Sequence, residues 1–207
     1  MPLIVLEGID GCGKSTQIER IAARFIERGV RHRRMREPGG TVLGEQIRAL
    51  LLDKATDACP TAELFGYLTA RAQLCHAVIK PALNRKEVVL LDRFWYSTMA
   101  YQAYGLGLDV HLVRAAIDLA LDGLHADLAV WLRIMPEQAM QRRAAARGED
   151  RIEARGLAYQ QRVHDGYATM AAAGDLHVID AERDPDTIFT DLWSAIEPLL
   201  HQSNHAN

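Results

Sequence analysis

The sequence has few cysteines and no excess of positive charge, and each shortage narrows the classes of protein to which it can belong. Its 207 residues include three cysteines, Cys12, Cys59 and Cys75, whose spacing forms no paired metal-binding motif. An odd number of cysteines favours a reducing compartment over a disulfide framework. The net charge is −3, from 24 basic and 27 acidic residues, so the composition predicts no general affinity for nucleic acid.

Long apolar runs are also missing from the chain. No run reaches the roughly 18 residues that a membrane helix needs, so we expect no membrane-spanning segment. The first residues show no charged and then apolar leader with a cleavage site. Together these shortages predict a cytoplasmic protein. Residues 201–207 are polar, and we expect them to form a disordered tail.

Apolar strand-like runs alternate with amphipathic helical patterns along almost the whole chain. The predicted strands cover residues 2–7, 31–36, 87–91, 127–134 and 175–180. The predicted helices cover residues 14–28, 41–53, 61–83, 95–104, 109–122, 136–145, 155–173 and 185–200. Such alternation is typical of an α/β fold, with a five-stranded parallel sheet and helices on both faces. Without repeats or long linkers, residues 1–200 are predicted to form a single domain.

The segment Gly-Ile-Asp-Gly-Cys-Gly-Lys-Ser at residues 8–15 matches the phosphate-binding loop pattern. A predicted strand precedes it and a predicted helix follows, which is the context that this motif requires. Its glycines allow peptide N–H groups to form an anion nest, Lys14 adds a charge for the outer phosphates, and Ser15 offers a hydroxyl to Mg²⁺. The predicted triphosphate contacts are Gly8, Ile9, Asp10, Gly11, Cys12, Gly13, Lys14, Ser15 and Thr16.

Polar residues also follow two other predicted strands, at the edge where open α/β sheets bind ligands. Asp92 and Arg93 follow the strand at 87–91, and the segment 36–40 follows the strand before it. The Asp92 carboxylate is a candidate Mg²⁺ ligand, and Arg93 can reach a bound phosphate. The chain has no Asn-Lys-x-Asp motif and no Asp-x-x-Gly after the third strand. Their absence weakens the alternative of a nucleotide-dependent switch protein.

Two predicted helices carry aromatic and polar side chains on one face. Tyr67 and Arg71 lie one helical turn apart, and Thr98, Tyr101 and Gln102 share a face of another helix. A phenol ring can stack on a nucleobase while a guanidinium donates to its carbonyl edge. The alternative for both tyrosines is ordinary core packing, which the sequence leaves open.

Taken together, these motifs resemble those of the thymidylate kinase family. The resemblance extends from residue 3 to about residue 180, through the segments 7–16, 36–41, 47–53, 69–73, 92–94, 97–102 and 150–153. The phosphate loop is shared by many families, whereas Arg-Glu-Pro-Gly-Gly-Thr at 36–41 and Ala-Tyr-Gln at 100–102 are specific to this one. The resemblance implies a P-loop nucleoside monophosphate kinase fold, and transfer of the γ-phosphate of ATP to dTMP with Mg²⁺ in a homodimer. A kinase of another pyrimidine monophosphate remains an alternative.

The resemblance also assigns residues to the acceptor. The implied dTMP contacts are Asp10, Arg36, Pro38, Arg48, Tyr67, Arg71, Arg93, Ser97, Thr98, Tyr101 and Gln102. In this assignment Tyr67 stacks on thymine, while Arg71, Thr98 and Gln102 read its polar edge. Tyr101 crowds the 2′ position of the sugar, which disfavours ribonucleotides.

The phosphate and the sugar hydroxyl of the acceptor have their own implied contacts. Arg48 and Arg93 hold the monophosphate, with Arg36 at the same mouth, and Asp10 orients the 3′-hydroxyl. The acceptor phosphate is mostly dianionic near neutral pH, so the transfer needs no strong general base.

A mobile lid at about residues 142–155 is the last feature that the resemblance implies. One branch of the family carries an arginine in the phosphate loop, and the other supplies it from the lid. Residues 9–12 contain no arginine, so the resemblance implies that the lid supplies this charge. Arg147 and Arg151 are the candidates to reach the γ-phosphate, and Arg142 is expected to pack on adenine. The predicted catalytic residues are Lys14, Arg93, Arg147, Arg151 and Asp10.

Overall fold

The computed structural model of the protein describes residues 1–144 and 151–202, and its centre is a five-stranded sheet. The strands are β1 (Leu3–Glu7), β2 (His32–Arg36), β3 (Val88–Asp92), β4 (Leu128–Arg133) and β5 (His177–Asp180). Their order is β2-β3-β1-β4-β5, and every pairing is parallel. The predicted fold class is therefore confirmed, and each predicted strand end lies within two residues of the observed one.

Helices connect and cover the strands. The α-helices in the described residues are α1 (Lys14–Glu27), α2 (Val42–Leu52), α3 (Pro60–Leu74), α4 (Lys80–Asn84), α5 (Trp95–Thr98), α6 (Val110–Leu121), α7 (Pro136–Ala144), α8 (Leu157–Ala172) and α9 (Pro185–Gln202). Two π-helical segments, Cys75–Ile79 and Met99–Gly105, and a 3₁₀ turn, Glu153–Arg155, complete the set. None of the helices in the described ranges is long and apolar enough to cross a membrane.

The observed helices differ most from the predicted ones at the two π-helical segments. The predicted helix 61–83 is interrupted at Cys75–Ile79, just before Pro81. Because proline has no N–H, it cannot donate to the carbonyl four residues earlier, which favours a wider turn at this point. The predicted helix 95–104 likewise becomes π-helical from Met99. At the end of that segment Gly105 packs so closely on Tyr159 that a Cβ would lie 2.7 Å from the Tyr159 ring.

Two further differences concern the C-terminal part of the chain. The predicted helix 155–173 begins only at Leu157, because Gly156 adopts φ 80 and ends the preceding 3₁₀ turn. Helix α9 extends to Gln202, so the first two residues of the predicted tail are helical. Residues 203–207 lie outside the described part of the chain.

The sheet topology brings the predicted polar segments to one edge. Strand β1 is fully buried between β3 and β4, and the side chains of β3 are buried up to its last residue. Because the strands are parallel, the ends of β1, β2 and β3 lie at the same edge of the sheet. The phosphate-binding loop, Glu37 and Arg93 therefore lie side by side, as the position of each motif in the sequence predicts.

Candidate active site

The phosphate-binding loop connects β1 directly to α1. Gly8 has φ 137, and a Cβ at this position would lie 2.8 Å from the Leu132 carbonyl oxygen. Gly13 is the N-terminal cap of α1 with φ 93, a conformation that is costly for residues with a side chain. These glycines allow the loop to turn tightly against β4 while the N-terminus of α1 faces outward, as an anion-binding site requires.

Lys14 lies across this loop. Its ammonium donates to the carbonyl oxygens of Gly8 at 2.7 Å and Ile9 at 3.2 Å. The same nitrogen lies 3.9 Å from an Asp10 carboxylate oxygen and 3.7 Å from the Cys12 sulfur. The Lys14 charge is thus held at the loop in a largely buried position.

Asp10 and Arg93 form an ion pair across the edge of the sheet. The Arg93 guanidinium donates to Asp10 at 2.8 Å and to the Ser97 hydroxyl at 3.1 Å, and it lies over the Tyr101 ring. Burial alone would raise the pKa of Asp10, but the charges of Arg93 and Lys14 outweigh it and hold that pKa well below its ordinary value. Asp10 is therefore an anion throughout the neutral range.

The Glu7 carboxylate fixes the segment that follows β3. It is fully buried, and it accepts hydrogen bonds from the Phe94 amide at 2.7 Å, the Ser97 hydroxyl at 2.6 Å and the Tyr167 hydroxyl at 2.8 Å. Burial raises the pKa of Glu7. Our sequence analysis missed Glu7 as a site residue. An acidic residue at the end of an otherwise apolar buried strand was the signal that could have revealed it.

One cavity lies beside this ion pair and holds most of the predicted acceptor residues. Its lining consists of Asp10, Glu37, Pro38, Arg48, Leu52, Tyr67, Arg71, Arg93, Ser97, Thr98, Tyr101, Gln102 and Ile152. We call it the first cavity. Its volume, counted together with the open mouth, is about 620 Å³. Glu37, Leu52 and Ile152 were not predicted as site residues.

Arg71 is anchored at the base of the first cavity by the missed residue Glu37. Its guanidinium donates to Glu37 at 2.7 Å, to the Thr98 hydroxyl at 2.7 Å and to the Phe94 carbonyl at 3.0 Å. Arg71 is 2 % exposed, so this geometry is rigid. The predicted partners Arg71 and Thr98 thus contact each other directly. Burial raises the pKa of Glu37 despite its Arg71 partner.

Glu63 of α3 pairs with three side chains, of which Gln102 lines the first cavity. Its carboxylate accepts from Gln102 at 3.0 Å, from Arg151 at 2.6 Å and from Arg155 at 2.6 Å. Arg151 also donates to the Leu51 carbonyl at 2.8 Å. The structure therefore pairs Arg151, a predicted γ-phosphate contact, with Glu63 of α3, and its neighbour Ile152 lines the first cavity.

A second and wider cavity opens over the phosphate-binding loop. Its lining consists of Asp10, Gly11, Gly13, Lys14, Ser15, Thr16, Arg34, Met35, Arg36, Glu37, Gly40, Glu45, Arg48, Asp92, Arg93, Arg142 and Arg143. Asp10, Glu37, Arg48 and Arg93 line both cavities, which are therefore adjacent. Of the predicted triphosphate contacts, Gly8, Ile9 and Cys12 lie beneath this surface and are buried.

Two arginines of the predicted lid region, Arg142 and Arg143, line the second cavity. Arg142 lines the second cavity and donates to the Ala181 carbonyl at 2.8 Å. Its neighbour Arg143, which sequence reasoning missed, lines the same cavity, and its charge contributes to the lowered pKa of Asp10. Arg147 lies outside the described residues. The structure thus adds one cation, Arg143, to the field at the second cavity.

Arg36 and Arg48 flank the turn after β2. Arg36 donates to Glu45 at 2.8 Å. Of the two cavities, Arg36 lines the second and not the first. Arg48 donates to the Pro38 carbonyl at 3.0 Å, and it lines both cavities. Of these two predicted phosphate contacts, only Arg48 therefore lines the same cavity as the predicted base-reading residues.

Asp92 and Ser15 both lie in the lining of the second cavity, where each offers an oxygen atom of a kind that binds Mg²⁺. In the described part of the chain, no group donates a hydrogen bond to the buried Oδ1 atom of Asp92. A carboxylate and a hydroxyl are the oxygen ligands that Mg²⁺ prefers. The described residues contain no cluster of three or more His, Cys, Asp and Glu side chains that could hold a metal ion. Asp92 and Ser15 are two oxygen donors, a set that suits an ion that phosphates also bind.

Comparisons with known proteins agree with this geometry. A family model described as thymidylate kinase matches residues 6–192.

Three similar curated proteins are each named thymidylate kinase. That of Gloeobacter violaceus is 42 % identical over 204 residues, covering 97 % of this chain and 96 % of its own. That of Synechococcus sp. strain CC9902 is 48 % identical and covers 87 % and 89 %. That of Nitratidesulfovibrio vulgaris is 42 % identical and covers 95 % and 96 %. The chain belongs to the thymidylate kinase family.

Proposed function

We propose that the protein transfers the γ-phosphate of ATP to dTMP, giving ADP and dTDP. The observation that carries this proposal is the junction of two cavities at Asp10 and Arg93. One cavity opens over a phosphate-binding loop, and the other presents an aromatic ring and a fixed guanidinium. Two adjacent sites of this kind suit a donor and an acceptor nucleotide. The names of the similar proteins support dTMP as the acceptor.

The second cavity would bind ATP. The N-terminus of α1 and Lys14 would hold its phosphates, because both present positive charge at the loop. Ser15 and Asp92 would hold Mg²⁺, which when bound neutralises charge on the transferred phosphate. Arg142, anchored to the Ala181 carbonyl, would pack against the adenine ring.

The first cavity would bind dTMP. Burial raises the pKa of the Tyr67 hydroxyl well above its ordinary value, so the ring stays neutral and can stack on thymine. Arg71 and Thr98 lie together where the polar edge of the base would reach. Tyr101 is buried beneath Arg93 and would exclude a 2′-hydroxyl by its bulk.

Transfer would proceed without a general base. A phosphate oxygen of dTMP, already anionic, forms the new bond to the γ-phosphorus while the bond to the oxygen of the departing ADP breaks. Arg93 and Lys14 stabilise charge on the transferred group, since Arg93 lines both cavities and Lys14 lies 3.9 Å from Asp10, which also lines both. Asp10 is an anion and would orient the acceptor sugar through its 3′-hydroxyl.

The remaining positive charge is proposed to come from the segment after α7. Arg147 and Arg151 remain our candidates to contact the γ-phosphate. In this structure Arg151 is paired with Glu63, so it would have to leave that carboxylate to reach the second cavity. Arg143 already lines the second cavity and needs no such movement.

We also propose a homodimer formed through helices α2, α3 and α6. These helices pack on one another and expose large apolar side chains to solvent. Leu119 is 84 % exposed, Leu112 73 %, Leu50 63 % and Phe65 58 %. Exposed apolar side chains on adjacent helices are typical of a surface that a partner covers.

A panel of acceptors tests the proposed function. We would supply ATP and Mg²⁺ with dTMP, dUMP, UMP or dCMP and measure the ADP released, with Lys14→Met as the inactive control. We expect dTMP to give the highest kcat/KM. A preference for UMP or dCMP would overturn the choice of acceptor. Binding of GTP with no acceptor-stimulated turnover would instead indicate a nucleotide switch.

A further inference from the structure

Gln102 is held in one orientation by a residue behind it. Its side-chain amide nitrogen donates to Glu63 at 3.0 Å, and both side chains are buried. An ionised carboxylate only accepts hydrogen bonds, so it must face the NH₂ end of the amide. The carbonyl end of Gln102 therefore faces away from Glu63.

The surroundings of Glu63 keep it ionised. Arg151 and Arg155 each lie 2.6 Å from its Oε2 atom. Burial by itself would raise the pKa of Glu63, but hydrogen bonds and charge from Arg155, together with Gln102 and Arg151, hold it below its ordinary value. A protonated Glu63 could donate to the amide and permit either orientation. The two arginines remove that possibility near neutral pH.

Glu63 acts at a distance from the substrate. Among the described residues it is absent from the lining of the first cavity, whereas Gln102 is part of that lining. Any influence of Glu63 on the base must pass through Gln102 or through the segment that Arg151 and Arg155 anchor, whose Ile152 lines the cavity.

We propose that Glu63 is a positioning residue that turns the Gln102 carbonyl toward the first cavity and so selects a base that donates a hydrogen bond there. Thymine and uracil carry an N–H group at ring position 3, whereas cytosine has an unprotonated nitrogen at that position. A fixed carbonyl attracts the first group and repels the second. The inference rests on the proposed function, because it concerns the base of the proposed acceptor.

The test measures dissociation constants of dTMP and dCMP by calorimetry for the wild type and for Glu63→Gln. A glutamine at position 63 can donate as well as accept, which frees the Gln102 amide to rotate. We expect the ratio of the dCMP constant to the dTMP constant to fall at least tenfold. Arg155→Gln is the matched control, since Arg151 and Gln102 still contact Glu63, and we expect its ratio to stay within twofold of the wild type.

A merely structural role for Glu63 predicts a different result. It would weaken both nucleotides equally, and a ratio that stays within twofold in folded Glu63→Gln overturns the inference. If that variant does not fold, Glu63→Asp replaces it with the same two outcomes, because its shorter side chain withdraws the carboxylate from Gln102. In a Gln102→Met background, Glu63→Gln should leave the ratio unchanged. Failure of the wild type to phosphorylate dTMP would instead refute the proposed function.

Discussion

The guanidinium of Arg93 donates to the carboxylate of Asp10 at 2.8 Å, and both residues line both cavities. Arg93 adopts φ 68, a left-handed backbone conformation that is costly for a residue with a long side chain. The hydrogen bonds of the Glu7 carboxylate to Phe94 and Ser97, just after Arg93, hold the chain in this conformation. The Glu7 carboxylate thus fixes the position of the charged pair at the junction.

Substitution of Asp10 by Asn tests its assignment to the acceptor sugar. The amide retains the shape but removes the charge that pairs with Arg93. We expect kcat/KM for dTMP to fall at least tenfold, a loss of roughly 1.4 kcal/mol in transition-state stabilisation, with a smaller change in the KM for ATP. Steady-state kinetics with each substrate varied would measure both. The exposed Asp57→Asn is the control, and unchanged kinetics in Asp10→Asn would exclude the assignment.

Substitution of Glu7 by Gln should alter how stability depends on pH. The pKa of Glu7 is raised above 4.5 by burial, so the folded protein binds this proton more tightly than the unfolded chain does. The contribution of Glu7 to stability is therefore present at low pH and lost as the pH rises from 4.5 through the raised pKa. We expect the wild type to lose free energy of unfolding relative to Glu7→Gln over this range, as measured by urea denaturation.

The exposed Glu19→Gln is the matched control for this pH series, because its carboxylate is largely in solvent. Its free energy of unfolding should follow that of the wild type at every pH. A wild type that gains stability over Glu7→Gln as the pH rises would mean that the hydrogen bonds to Glu7 outweigh its burial.

Arginine substitutions test the source of the charge at the transferred phosphate. We expect Arg143→Ala, and at least one of Arg147→Ala and Arg151→Ala, to lower kcat more than tenfold, or roughly 1.4 kcal/mol. Single-turnover assays with saturating ATP and dTMP would separate this step from binding. Arg28→Ala is the control, since Arg28 pairs with Glu197 on α9. Full activity in both Arg147→Ala and Arg151→Ala would refute the lid proposal.

Leu119→Glu tests the proposed dimer surface on α6. A charge at this exposed apolar position should prevent association, because burying it without a partner is costly. We expect light scattering to give twice the chain mass of 23.1 kDa for the wild type and 23.1 kDa for the variant. Leu157→Glu, at an exposed leucine on α8, should remain dimeric. A monomeric wild type would contradict the proposal.

The sequence predicts those parts of the site that depend on hydrophobic runs, motifs and helical spacing. Hydrophobic runs locate the strands, and parallel topology then brings Arg93 to the phosphate-binding loop. The helical spacing of Tyr67 and Arg71 predicts that they share a face of one helix, and both line the first cavity. These features depend on neighbours in the chain or on a general rule of the fold, so they can be read without coordinates.

Three buried carboxylates could not be predicted in this way. Glu7 contacts Tyr167 across 160 positions, Glu63 contacts Arg155 across 92, and Glu37 contacts Arg71 across 34. Their roles depend on which distant side chains the fold brings together. The spacing of neighbouring residues in the sequence does not predict such a contact. The sequence predicts that Gln102 and Arg151 contact the ligands directly. It does not predict that both also donate hydrogen bonds to Glu63.

The adjacency of the two cavities suggests a design for an inhibitor of the proposed phosphate transfer. Since four residues line both cavities, the proposed function implies that one molecule carrying two nucleosides on a single phosphate chain would occupy both. Once its first half is bound, its second half faces its own pocket at a high effective concentration. Such a compound would gain affinity from the connection alone, and the number of phosphates that binds best would report the distance between the two nucleosides.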